Sequence, residues 1–92
     1  MAAQDFHLRA ATSADSPAIR TLVYQARLNP TGLDWERFIV AESAEGVIGC
    51  AQIKPHRDGS EELASLVVAP HWQGCGVGRA LVERLLDRHL QT

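Results

Sequence analysis

Between positions 66 and 81 the chain reads Leu66-Val67-Val68-Ala69-Pro70-His71-Trp72-Gln73-Gly74-Cys75-Gly76-Val77-Gly78-Arg79-Ala80-Leu81. An apolar strand-like run leads into a glycine-rich loop, and the loop leads directly into an amphipathic helix. Glycines let the backbone take unusual angles and approach a ligand closely. The first N–H groups of a helix have no internal partner, and the helix dipole adds partial positive charge at that end, so the pattern is suited to an anion. One such charge–dipole contact contributes about 0.3–1 kcal/mol, so several N–H groups must converge to hold a pyrophosphate. A glycine-rich turn that only packs helix against strand is the plain alternative.

Two familiar phosphate-binding designs do not fit. A P-loop requires Gly-Lys-Ser or Gly-Lys-Thr where this chain has Gly78-Arg79-Ala80. A dinucleotide fingerprint requires a third glycine at the position of Leu81, then a further parallel strand carrying an acid.

The elements that must position this segment follow from periodicity and turn residues. Phe6 to Ala10 alternates as a short strand. Thr12 and Asp15 mark a helix start, and Pro17 suits only a first turn. Ile19, Leu22, Val23 and Ala26 share one helical face, with Asn29-Pro30-Thr31-Gly32 as the stop. Leu33 to Arg37 suits one helical turn. Phe38 to Glu42 and Val47 to Lys54 form a hairpin about Ala44-Glu45-Gly46, and Pro55 closes it. Gly49 inside the return strand predicts a bulge or the close approach of another backbone. Asp58-Gly59 marks a second hairpin, and Glu62 to Val68 reads as an apolar strand covered on both faces. The last helix starts near Gly76, with Val77, Ala80, Leu81, Val82, Leu85 and Leu86 on its apolar face. The expected fold is α+β (mixed α/β): a mostly antiparallel four-stranded sheet with helices packed on it, forming a single domain over residues 1–92.

Composition narrows the function. The chain has 92 residues, 46% hydrophobic and 22% charged, with a formal net charge of -2. That is a globular balance, with no general attraction to nucleic acid or an anionic membrane. The opening MAAQDFHLRAAT carries an acid and no apolar run, so it does not read as a secretory signal. Cys50 and Cys75 lack metal-type spacing and read as reduced thiols of a cytoplasmic protein. His7, His56, His71 and His89 likewise lack ligand spacing and read as surface residues. Trp35 and Trp72 read as caps on the core, and Tyr24 as a helix-surface group.

Gln73-x-x-Gly76-x-Gly78, following Leu66-Val67-Val68-x-Pro70, resembles the acyl-CoA-binding motif of the GNAT superfamily, the GCN5-related N-acetyltransferases. Leu8-Arg9-x-Ala11-Thr12, Phe38-Ile39-Val40-Ala41-Glu42 and Val47-Ile48-Gly49 stand where that family places its opening strand and first hairpin. The resemblance implies acetyl-CoA as cofactor and direct acetyl transfer to a small-molecule or peptide amine. It implies that backbone groups of Leu66, Val67 and Val68 pair with the pantetheine arm, with the Val68 N–H polarising the thioester carbonyl. N–H groups of Gln73, Gly74, Cys75, Gly76, Val77 and Gly78, with Arg79 nearby, would wrap the pyrophosphate. Glu62 stands where histone-acetyltransferase relatives carry a basic glutamate, and strand alternation puts it on one face with Ala64, Leu66 and Val68; an ordinary exposed glutamate after a turn is its other reading. Direct transfer makes no acyl-enzyme, so Cys75 reads as a small filler. The family continues beyond this helix with a splayed fifth strand and often a tyrosine acid, whereas this sequence stops at Thr92. The expectation is an N-terminal portion with an open edge on the fourth strand: a truncated piece of a longer domain, a natural short form that a second copy or a partner chain completes, or a fragment without turnover. A non-catalytic acyl-CoA-binding or dimerisation module is the alternative function.

Overall fold

In the computed structural model, residues 5–90 are described. Met1 to Gln4, Gln91, Thr92 and the side chains of His89 and Leu90 lie outside the described residues, and with them the surface reading of His89. Strands β1 (His7–Ala10), β2 (Phe38–Ser43), β3 (Gly46–Pro55) and β4 (Glu61–Val68) form an antiparallel meander in the order β1-β2-β3-β4. Helix α1 (Ser16–Gln25) packs on one face of the sheet and helix α2 (Val77–Leu90) on the other. This is the expected α+β architecture.

Alternation along the central strands feeds both layers. Phe38, Val40 and Cys50 face α1 and meet Ile19, Leu22 and Val23. Ile39, Ala41 and Ala51 face α2 and meet Val77, Leu81 and Leu85. Gly49 satisfies both expectations made for it. Ala41 faces Gly49 while Glu42 faces Val47, which leaves Ile48 as a bulge. A Cβ on Gly49 would stand 3.1 Å from Val77 Cγ1 and 3.2 Å from the Val67 carbonyl oxygen.

Two expectations need correction. Helix α1 ends at Gln25, before Asn29-Pro30. Arg27 takes φ 59°, its N–H donating to the Tyr24 carbonyl at 3.0 Å while Leu28 N–H donates to that of Val23 at 3.2 Å. Glycine usually makes this closure, so the sequence carries no mark of it, and Ala26 is exposed rather than buried. Strand β4 is not covered on both faces. It is an edge of the four-stranded sheet, and only Val67 along it is buried.

One ion cluster fixes the N-terminal layer. The Arg9 guanidinium donates to both Asp15 oxygens, at 2.7 and 2.9 Å, and to both Glu42 oxygens at 3.1 Å. Asp15 is 7% exposed and also accepts the Thr12 N–H at 2.7 Å. The Arg9 hydrogen bonds and that of Thr12 outweigh the cost of burial and hold the Asp15 carboxyl down at about 2. Because the folded pKa is depressed, its stabilisation is complete above the unfolded value near 4 and disappears as pH falls through about 2. Asp15→Asn should therefore cost about 2 kcal/mol at pH 7 and flatten the pH dependence of stability between pH 4 and 2. Urea melts of both proteins across that range check this; parallel curves would contradict it.

Candidate functional site

The end of β4 and the start of α2 meet across a short loop. A 3-10 turn at Pro70–Trp72 buries the Trp72 ring against the α2-side core, edge-on to Phe6 with ring centroids 6.3 Å apart. With Trp72 anchored, the chain turns outward at Gln73. Gln73 Nε2 donates to the Val68 carbonyl at 3.1 Å, stapling the loop to the strand end. Gly74 and Gly76 take φ 83° and 87°, and a Cβ built on either would meet nothing within 4 Å. The loop backbone is open to solvent on that side. Ala80 N–H donates to the Gly76 carbonyl at 3.0 Å. The N–H groups of Val77, Gly78 and Arg79 therefore lack partners within the helix.

These features fit a pyrophosphate: exposed N–H groups at a helix start, no side chain over the loop, and an adjacent strand edge. The side chains add little to it. Val77 belongs to the core and is 1% exposed as a whole residue, so its side chain takes no part. A Cβ on Gly78 would meet Val68 Cγ2 at an ordinary 3.6 Å. Arg79 Nε pairs with Glu83 Oε1 at 3.0 Å on the exposed face of α2. Cys75 is exposed, so it fills no gap in the core, contrary to its reading as a filler. Cys50 is buried, and burial pushes its thiol up to about 12, which keeps it protonated and unreactive.

Strand β4 carries a bulge that the sequence did not reveal. Cys50 faces Val67 and Gln52 faces Ala64, so Ser65 and Leu66 together oppose Ala51. Ser65 takes φ 54°, a left-handed conformation for a residue with a side chain. The extra residue reverses the alternation. Glu62 and Ala64 share the α1 face with Val67, opposite Lys54, Gln52 and Cys50; Leu66 and Val68 do not lie on it. The sequence-based grouping of Glu62 with Leu66 and Val68 is thus corrected.

Glu62 is exposed, and its Oε1 lies 2.9 Å from His56 Nε2. It lines a hollow of about 270 Å³ on the α1 side with Leu28, Asn29, Thr31, Lys54, Ala64 and Ser65. A second hollow of about 150 Å³ lies further along β4, between Val67, Val68 and the C-terminal turn of α1. Lys54 and Ser65 were not anticipated as site residues. The one available signal was Gln52, a polar residue within an apolar strand, which is 1% exposed and donates from Nε2 to Ser65 Oγ at 3.0 Å. Trp35 packs partly buried against the α1-side core, and Tyr24, His7, His56 and His71 are exposed.

The sequence matches the family described as acetyltransferase (GNAT) domain over residues 34–92. It is 33% identical over 80 residues to the mycothiol acetyltransferase of Rhodococcus jostii (strain RHA1), covering 87% of this chain and 26% of that protein. The fold superposes with a TM-score of 0.79 on N-acetylglutamate synthase from Neisseria gonorrhoeae complexed with coenzyme A and N-acetyl-glutamate. That match has 26% identity and covers 91% of this chain and 22% of the other. Rv2747 from Mycobacterium tuberculosis, in complex with CoA and NLQ, superposes with a TM-score of 0.77 at 32% identity, covering 92% of this chain and 59% of that one. The chain thus spans about a quarter of the curated relative's length.

Gly49 sets how closely the start of α2 approaches the sheet. Gly49→Val should push Val77 and Leu81 away and cost about 2 kcal/mol through overpacking. Thermal unfolding measures the loss, and amide shifts confined to Val77–Leu81 in a heteronuclear NMR spectrum locate it. An unchanged melting temperature would contradict the close packing.

Proposed function

The chain belongs to the acetyltransferase (GNAT) domain family, and from that premise we propose that it transfers an acetyl group from acetyl-CoA directly to a primary amine. The observation that carries this reading is the open backbone between Gln73 and Arg79 at the start of α2, beside the edge of β4. Backbone N–H groups from Gly74 to Gly78 hold the pyrophosphate, and Arg79 adds charge at the periphery; the Gln73 N–H, expected to share in this, instead donates to the Pro70 carbonyl at 3.3 Å. The edge groups of Leu66, Val67 and Val68 pair with the extended pantetheine arm, and Val68 N–H polarises the carbonyl of the acyl group. Acetyl-CoA, when bound, supplies the activated acyl group.

Glu62 acts as the base in this proposal. The acceptor nitrogen forms the C–N bond as the C–S bond breaks; its proton passes to the Glu62 carboxylate, and coenzyme A leaves as the thiol after gaining a proton from solvent. His56, in contact with Glu62, passes the proton onward. Residues 1–92 act as one domain. Neither Cys50 nor Cys75 is in a disulfide among the described residues, in keeping with a reducing cytoplasmic setting. No described helix is long and apolar enough to cross a membrane. The outer edge of β4 ahead of Leu66 is where a second copy or another chain would extend the sheet, leaving Leu66 to Val68 to the pantetheine arm.

Calorimetric titration with acetyl-CoA should give saturable binding and a melting temperature that rises with ligand concentration. Gly76→Asp places a carboxylate at the proposed pyrophosphate site and should weaken binding at least tenfold; Gly76→Ala, which meets the same backbone strain at φ 87° without the charge, should weaken it less. A folded chain that ignores acetyl-CoA would sink the reading. Glu62→Gln should keep cofactor affinity while acetyl transfer falls roughly 10²-fold or more near pH 7, with the deficit shrinking at higher pH. Unchanged turnover would remove Glu62 from the mechanism, and cofactor binding without transfer to any amine would favour the non-catalytic alternative.

A further inference from the structure

The hollow beside Glu62 has a polar lining whose charges fall at two separate points. Lys54 and Glu62 stand directly opposite each other on β3 and β4, on the face turned toward α1. Their carboxylate and ammonium are not joined. Glu62 pairs with His56, and Lys54 makes no ion pair among the described residues. The Lys54 side chain reaches across the hollow to the loop after α1. Its Nζ lies 2.8 Å from where a Cβ on Gly32 would stand, and Gly32 takes φ 70°. A lysine beside a carboxylate within cross-strand distance would ordinarily be expected to turn toward it. Here its ammonium lies at the opposite wall instead.

The far side of the hollow is built from within. Gln52 is almost wholly buried, and its Nε2 donates to Ser65 Oγ at 3.0 Å and to the Gly32 carbonyl at 3.4 Å. It ties the loop to the bulge. Its Oε1 is buried without a partner among the described residues. Because Ser65 Oγ accepts from Gln52, the serine's own proton remains available to an acceptor in the hollow. The strained φ 54° of Ser65 turns this residue out of the regular ladder at the same point. Two donors, Lys54 and Ser65, and one carboxylate, Glu62, thus line a space of about 270 Å³.

We propose that the hollow reads an acceptor carrying a carboxylate close to its amine, an amino acid, with Lys54 and Ser65 holding the carboxylate and Glu62 facing the amine. This deepens the transferase reading and rests on it. Lys54 and Glu62 rise from directly opposed positions, but their charged ends part, one toward Gly32 and the other toward His56, so a molecule carrying both an amine and a carboxylate can lie between them. A simple amine would leave Lys54 without a counter-charge, and a polyamine would place a second cation against it. The hollow therefore selects against cationic acceptors as well as for zwitterionic ones.

The test uses the 92-residue chain labelled with ¹⁵N, read at the Gln52 side-chain amide and the Ser65 backbone amide. The probes are the proteinogenic amino acids, titrated first as pools and then singly, and the decarboxylated amine of each one that binds. Titrations run with and without saturating coenzyme A. An amino acid should shift both signals and bind at least tenfold tighter than its decarboxylated amine. Lys54→Met should abolish that difference, and Lys54→Arg should keep most of it, with both variants retaining the wild-type spectrum elsewhere. Equal affinity for amino acid and amine, or a difference untouched by Lys54→Met, would overturn the proposal. So would silence toward every amino acid in a sample that binds acetyl-CoA. Failure of acetyl-CoA itself to bind the same sample would instead count against the transferase reading, while the cleft's preference would still be measured without cofactor.

Discussion

One additional residue in β4 determines how the site is divided. Before the bulge, Glu62 and Ala64 project toward the hollow under the post-α1 loop; after it, Val67 enters the α1-side core and Val68 packs toward α2. With regular pairing the two halves would keep one phase, and Glu62 would project toward the opposite layer from Val67. The bulge requires Ser65 to adopt a left-handed backbone, which costs a residue with a side chain on the order of 1–2 kcal/mol. The hydrogen bond from buried Gln52 to Ser65 Oγ and the contact of Cys50 Sγ with the Ser65 carbonyl at 3.7 Å offset that cost. Gln52 and Cys50 are thus structural parts of the site, although neither faces an open surface.

The remainder of the fold keeps β4 and α2 in place. Gly49 lets the first turn of α2 settle against β3, and Trp72 anchors the loop so that Gln73 emerges beside the strand end. On the opposite edge, Arg9 joins β1, the turn before α1 and the β2 hairpin through Asp15 and Glu42. That cluster presents no reactive group, because every carboxylate oxygen in it is engaged with the guanidinium. It stabilises the layer from which the post-α1 loop departs.

Much of this was legible in the sequence because it depends on patterns that sequences carry. The strand periods, Pro17 in the first helical turn, Gly49 and the spaced glycines after Trp72 each state a backbone requirement through residue type. The parts that were not legible depend on conformations adopted by residues that give no sign of them. Arg27 closes α1 where glycine would have announced the end, and Ser65 bulges where glycine would have announced the irregularity. The unmarked bulge reverses the facing of half a strand, so residue type alone gives no sign that Lys54 and Ser65 line one hollow with Glu62, apart from Leu66 and Val68. The open edge of β4 is as expected, but its apolar composition overstates its burial, since only Val67 along it is buried.

The two ends of the proposed site are built from different materials, and this follows from what each must bind. The loop from Gly74 to Gly78 offers backbone N–H groups and almost no charged side chain, since Arg79 is paired with Glu83 on the outer face. Backbone donors fixed at a helix start recognise a phosphate by geometry, and any chain with the right glycines can form them. The hollow near Glu62 relies instead on side chains: Lys54, Glu62 and His56, which are not part of the core, and Ser65, which is tied to the bulge through Gln52. A cofactor shared across a family can be held by backbone alone, which is why the glycine spacing is visible in the sequence. An acceptor particular to one protein has to be read by side chains, and these gain meaning only once the bulge and the post-α1 loop bring them together.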